Sequence, residues 1–129
     1  MPPKPVHGDP RDWLSRAKAS LALARGRALA GVLLEDLCYQ TQQSAEKALK
    51  ALYIHRGVAF PFVHNLDHLF LGLEAMGLEI PESVDRAVIL TRYAVETRYP
   101  GTFEELTEED YQEALRLAEN VLAWVEGHL

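Results

Sequence analysis

The chain has 129 residues, 48% of them hydrophobic, a formal net charge of −6 and one cysteine. That length and apolar content suit a single domain with a sizeable core, and a second domain is not expected. One cysteine, Cys38, excludes an intrachain disulfide framework, and its apolar neighbours predict a buried thiol rather than a nucleophile. The most apolar stretch, residues 21–37, is interrupted by Arg25, Arg27 and Glu35, so neither a signal peptide nor a membrane helix is expected, which points to a cytoplasmic protein.

Residues 1–8, MPPKPVHG, hold three prolines and a glycine and read as a flexible tail, leaving 9–129 as one folded domain. Asp9 is the expected N-cap of a first helix with Pro10 at its first position, and Trp13, Ala17, Leu21, Ala24 and Ala28 follow at helical spacing. Gly26 and Gly31 bracket a break before a second helix from about 32 to 56, which Gly57 stops. On that helix Ala45, Ala48, Leu49 and Leu52 form an apolar stripe, while Gln42, Gln43, Glu46, Lys47 and Lys50 fall on the other side. This polar side reads either as a solvated surface or as an array of donors for one ligand.

The connector VAFPFVHN is apolar for a loop, so Phe60 and Phe62 are expected to plug the end of a bundle. A short third helix, about 66–76, ends at Gly77. Pro81 opens a fourth, expected to run unbroken to Arg98 with Val84, Ala87, Val88, Thr91 and Val95 inward, and Tyr99-Pro100-Gly101 stops it. Thr107 caps the last helix, whose first turn carries Glu108, Glu109 and Asp110. Its two adjacent apolar stripes, Tyr111, Leu115, Ala118, Leu122, Val125 and Ala114, Leu117, Val121, Trp124, indicate either a dimer interface or a central place in the bundle. With no strand-like alternation, the expected fold is all-α: an antiparallel up-and-down four-helix bundle with one short additional helix.

Charge is unevenly spread. Residues 1–57 carry nine Lys or Arg against five acids, and residues 58–129 carry four Arg against fourteen acids. The first two helices either present a basic face or are neutralised by the second half on packing. No phosphate-binding glycine loop, serine nucleophile elbow or Cys/His catalytic arrangement is present. His64 and His68 are four apart, but His64 lies at or before a helix start, a capping position, so no metal and no cofactor is expected. The segment TRYAVETRYPG places Arg92 and Glu96 one turn apart and Arg98 and Tyr99 at the helix end. Guanidinium forks suit phosphate and a tyrosine offers a stacking face, against the plainer reading of a local ion pair.

CYQTQQSAEKALKAL, then FPFVHNL after Gly57, then ETRYPG before the last helix, together resemble the HEPN family, the domain named for higher eukaryotes and prokaryotes nucleotide binding. The resemblance spans the whole ordered chain. It implies a four-helix bundle with a short extra helix, commonly a homodimer. It also implies a minimal nucleotidyltransferase as partner, often in a toxin–antitoxin pair. Other members are metal-independent endoribonucleases that use an arginine and a histidine separated by four to six residues. Here the positions so spaced from Arg92 are Thr97, Arg98 and Tyr99, and neither Arg86 nor Arg56 supplies a histidine in register.

The resulting expectation is nucleotide or RNA phosphate binding without confident catalysis. Arg92, Glu96, Arg98 and Tyr99 are the leading ligand-facing residues, with Gln43, Lys47 and Lys50 as a further layer and His64 nearby. The rivals are a degenerate HEPN ribonuclease using Arg92 and His64, and a pure interaction module docking through the second helix. Tyr99 is in addition a candidate for modification by the nucleotidyltransferase.

Overall fold

The computed structural model describes residues 8–95 and 105–129, and every regular element among them is helical. The order is α1 (Pro10–Ala24), α2 (Leu34–His55), α3 (Leu66–Ala75), α4 (Glu82–Asp85), a 3₁₀ segment (Arg86–Thr91), α5 (Arg92–Val95) and α6 (Glu108–Glu126). The fold is a helical bundle in which α2 is central, packing most extensively on α1 and α6.

Local signals set most boundaries. The Asp9 carboxylate accepts the Arg11 amide (2.8 Å) ahead of Pro10. Thr107 and Asp110 form a reciprocal capping box, Thr107 Oγ1 accepting the Asp110 amide (3.1 Å) and Asp110 Oδ2 accepting the Thr107 amide (2.9 Å). Asn65, not His64, caps α3 by accepting the Asp67 amide (2.9 Å), so His64 is released from a capping role. Gly57 and Gly77 adopt φ of +71° and +93°, the left-handed turn that ends α2 and α3 where an L side chain would be strained.

The core runs along α2. Ala45, Ala48, Leu49 and Leu52 are completely buried against Ala17, Leu21 and Ala24 of α1 and Ala114, Ala118 and Val121 of α6. The wide apolar surface of α6 is largely used inside this one chain, where Tyr111, Ala114, Leu117, Ala118, Val121, Leu122 and Val125 are all buried. The Tyr111 hydroxyl donates to the Ala24 carbonyl (2.6 Å), closing α6 onto the end of α1.

Two expectations fail here. The fourth helix is not continuous, because 3₁₀ geometry occupies Arg86–Thr91 between the α-helical residues Glu82–Asp85 and Arg92–Val95. Val84, Ala87, Leu90 and Tyr93 are buried at steps of three, the repeat of a 3₁₀ helix, and Ala94 is buried beside them once α-geometry resumes at Arg92. The β-branched run Val88, Ile89 and Thr91 also weakens α-helix at this point. The second failure is in the apolar connector: Phe60 is buried and meets Trp13 edge-on (5.2 Å between centroids), but Phe62 is 81% exposed.

Candidate functional site

The polar side of α2 is not solvated. Gln42, Glu46 and Lys50 are buried, because the connector between α2 and α3 folds back over them. The side chains of Glu46 and Lys50 are only 6% and 9% exposed, and Lys50 Nζ donates to Glu46 Oε2 at 2.8 Å. Glu46 Oε1 accepts Gln42 Nε2 (3.0 Å) and meets His64 Nδ1 (3.0 Å). Gln42 Nε2 also donates to the His64 carbonyl (3.0 Å), and Gln42 Oε1 accepts Gln43 Nε2 (2.7 Å). The Lys50 ammonium lies 4.9 Å from the centroid of Phe60, which adds a cation–π contact.

Burial alone would drive the Glu46 carboxyl upward, but hydrogen bonds from Lys50, Gln42 and His64 and the Lys50 charge outweigh it and hold the group below its ordinary value. An ionised Glu46 accepts only, so the bond to His64 assigns the proton of a neutral imidazole to Nδ1 and leaves Nε2 as the nitrogen available to a ligand. The ring itself is 70% exposed. One exposed imidazole is therefore oriented by a buried, charge-balanced trio on α2.

The other α2 candidates have structural partners. Lys47 Nζ donates to Ser20 Oγ on α1 (2.9 Å), and burial pushes its ammonium down, opposed by Glu46 and reinforced by Arg16. Ser44 Oγ donates to the Ala17 carbonyl (2.8 Å), so this side of α2 also clamps α1. Gln43 is half-buried against Gln42. Lys50 faces inward with its charge already balanced by Glu46.

Arg92 begins α5 and is exposed, with its guanidinium carbon 5.5 Å from the Tyr93 ring centroid. Beneath it Tyr93 and Cys38 are buried, and desolvation, the largest cause for each, pushes both pKa values up to about 12. Cys38 is thus the buried thiol expected. Thr91 Oγ1 accepts the Leu66 amide (3.1 Å), which ties the residue before Arg92 to the position two beyond His64. Through that bond the structure brings the Arg92 and His64 segments together. Glu96, Arg98 and Tyr99 lie outside the described residues.

The basic residues of α1 and the turn after it face acids of α6: Arg25 with Glu119 (2.6 Å), Arg27 with Glu108 (3.2 Å) and Lys18 with Glu126 (3.2 Å). These exposed pairs are each worth at most about 1 kcal/mol, but they neutralise the face that the charge asymmetry offered. Among the described residues no group of three or more His, Cys, Asp or Glu is placed to hold a metal. Sequence reasoning places Gln42 and Glu46 in the polar array of the second helix but leaves them out of the ligand-facing residues finally chosen. Their signal is Glu46 sitting one turn from both Gln42 and Lys50, beneath a connector too apolar to be free of the bundle.

These features define a small helical-bundle domain whose central helix carries a buried polar network under the α2–α3 connector. The family model for the HEPN domain matches residues 10–128, and the chain belongs to the HEPN domain family. Among solved structures it is similar to TT1696 from Thermus thermophilus, at 34% identity and a TM-score of 0.82, covering 93% of this chain and 98% of that one. It is also similar to ST0689, an archaeal HEPN homologue, at 29% identity and a TM-score of 0.75, covering 95% and 98%. No functionally curated protein matches the chain. Among the described residues no helix is long and apolar enough to cross a membrane.

Proposed function

We propose that this HEPN protein binds a nucleotide or an RNA phosphate at the corner formed by Arg92 and His64. In this reading it is a homodimer and acts with a nucleotidyltransferase partner in a toxin–antitoxin type pair. The observation that carries the binding reading is the Thr91–Leu66 hydrogen bond, which ties together the two segments that bear the exposed, nitrogen-rich Arg92 and His64. A guanidinium offers paired donors matched to phosphate oxygens, and an imidazole on the adjoining segment can donate or accept. Isothermal titration with ATP and with short RNA tests this. Arg92→Ala is expected to weaken binding about tenfold or more, the scale of one charge-assisted contact; equal affinity in wild type and variant would remove Arg92 from the site. Co-purification with a co-expressed nucleotidyltransferase encoded beside this protein tests the partner.

A second reading, metal-independent RNA cleavage, draws support from the Glu46–His64 pair, since a carboxylate on Nδ1 is the usual way of orienting a general base. His64 Nε2 would take the proton of a 2′-hydroxyl as that oxygen forms a bond to phosphorus. The bond from phosphorus to the 5′-oxygen breaks, and the proton returns to that leaving oxygen, giving a 2′,3′-cyclic phosphate and a 5′-hydroxyl end. Cleavage in EDTA that His64→Ala abolishes supports this reading, and intact RNA after prolonged incubation rejects it.

A further inference from the structure

The α2–α3 connector presents a second group that the phosphate site leaves unused. The Val63 amide donates to the Pro61 carbonyl (3.0 Å), closing a three-residue turn with Phe62 at its apex. Phe62 is 81% exposed, an unusual setting for so large an apolar residue, and its ring meets Phe60 at 5.7 Å and a 67° interplanar angle. Phe60 in turn is held between Trp13 of α1 and the buried Lys50 ammonium. Phe62 therefore rests on a rigid aromatic and cationic base.

Two residues along the same connector stands His64, its ring fixed by Glu46 and its backbone carbonyl fixed by Gln42. Two residues of chain reach about 7 Å at most, so the Cα atoms that carry the apex ring and the oriented imidazole lie within the length of one nucleotide. A neutral Nε2 accepts from a ribose hydroxyl, and a protonated one donates to phosphate.

Resting on the phosphate-binding reading above, we propose that residues 61–65 form a nucleotide subsite in which Phe62 stacks on an unpaired base while His64 contacts its sugar or phosphate. Exposed aromatic rings serve single-stranded nucleic acid in this way because every base has a face to stack, and the contact tolerates sequence. The ligand chemistry is an unpaired nucleotide, supplied either by single-stranded RNA or by a free nucleotide.

The test is fluorescence anisotropy of the full chain with a labelled short single-stranded RNA, with ATP as competitor and light scattering run in parallel. Phe62→Ala is expected to weaken binding about tenfold, the effect of losing one stacked base, with Phe62→Trp restoring it and the thermal midpoint unchanged. Displacement of the RNA by ATP assigns the subsite to free nucleotides, and resistance to ATP assigns it to the polymer. Binding that Arg92→Ala abolishes but Phe62→Ala leaves within twofold overturns the subsite while keeping the phosphate site. Absence of any binding by the wild type overturns both. If Phe62→Ala changes the oligomeric state without changing RNA affinity, the ring belongs to a protein interface and the subsite is likewise overturned.

Discussion

Replacing Glu46 by glutamine removes one charge at almost constant volume from the centre of the polar network. The Lys50 ammonium, 9% exposed and paired at 2.8 Å, is then left without its counter-charge beneath Phe60. Breaking a buried pair on one side costs about 3–5 kcal/mol, and glutamine retains one acceptor, so a loss near the lower end, about 3 kcal/mol, is expected. At this chain length that corresponds to roughly 10 °C in Tm. Lys50→Met should cost less, because Glu46 keeps Gln42 and His64 as donors. In the double variant neither charge is buried alone, so its cost should fall short of the sum of the two singles by at least about 1 kcal/mol. Urea denaturation of wild type, both singles and the double completes the cycle. Additive costs, each under about 1 kcal/mol, would refute the idea of a buried, mutually dependent pair.

The same carboxylate sets an acid dependence. Because the folded pKa of Glu46 lies below its ordinary 4.5, its contribution is present above that pH and lost as pH falls through the folded value. The stability gap between wild type and Glu46→Gln should be constant near pH 6 and narrow once pH falls below the ordinary value of 4.5; a gap that widens on acidification contradicts this. A Cβ placed on Gly72 would collide with the Tyr53 hydroxyl, which donates to the Leu69 carbonyl (2.7 Å). Gly72→Ala should therefore cost about 1–3 kcal/mol and be partly rescued by Tyr53→Phe, as read by denaturation; no rescue would place the strain elsewhere. Cys38, with its thiol pushed up to about 12 and no accessible surface, should resist alkylation at pH 8 in the folded chain and react fully in urea, as followed by intact mass. Rapid modification without denaturant would show the thiol to be accessible.

The fold is legible in the sequence because its punctuation is local. Asp9-Pro10, Gly57, Gly77 and Thr107 act through their own backbone geometry and end or begin helices where they should. The fourth element reads as a continuous helix because Val84, Ala87 and Val88 also fit a 3.6-residue repeat over a short stretch. Leu90, buried at the next step of three inside the 3₁₀ segment, is what departs from the α-helical repeat. The site is less legible. Helical periodicity places Gln42, Glu46 and Lys50 together correctly but cannot say that the α2–α3 connector covers them, since that is a tertiary contact. Apolar character alone gives Phe60 and Phe62 one fate, whereas the turn at 61–63 sends them in opposite directions. Opposed charges on the two halves of the chain resolve into pairs across to α6 for the same reason: composition does not specify which helices meet.

Binding at the Arg92–His64 corner is tested most directly by titrating short single-stranded RNA into wild type, Arg92→Ala and His64→Ala at two salt concentrations. Saturable binding by the wild type is expected, weakened about tenfold by each substitution, with a smaller salt dependence when the arginine is gone. Wild-type binding that neither substitution changes, or no binding at low salt, would contradict the proposed site.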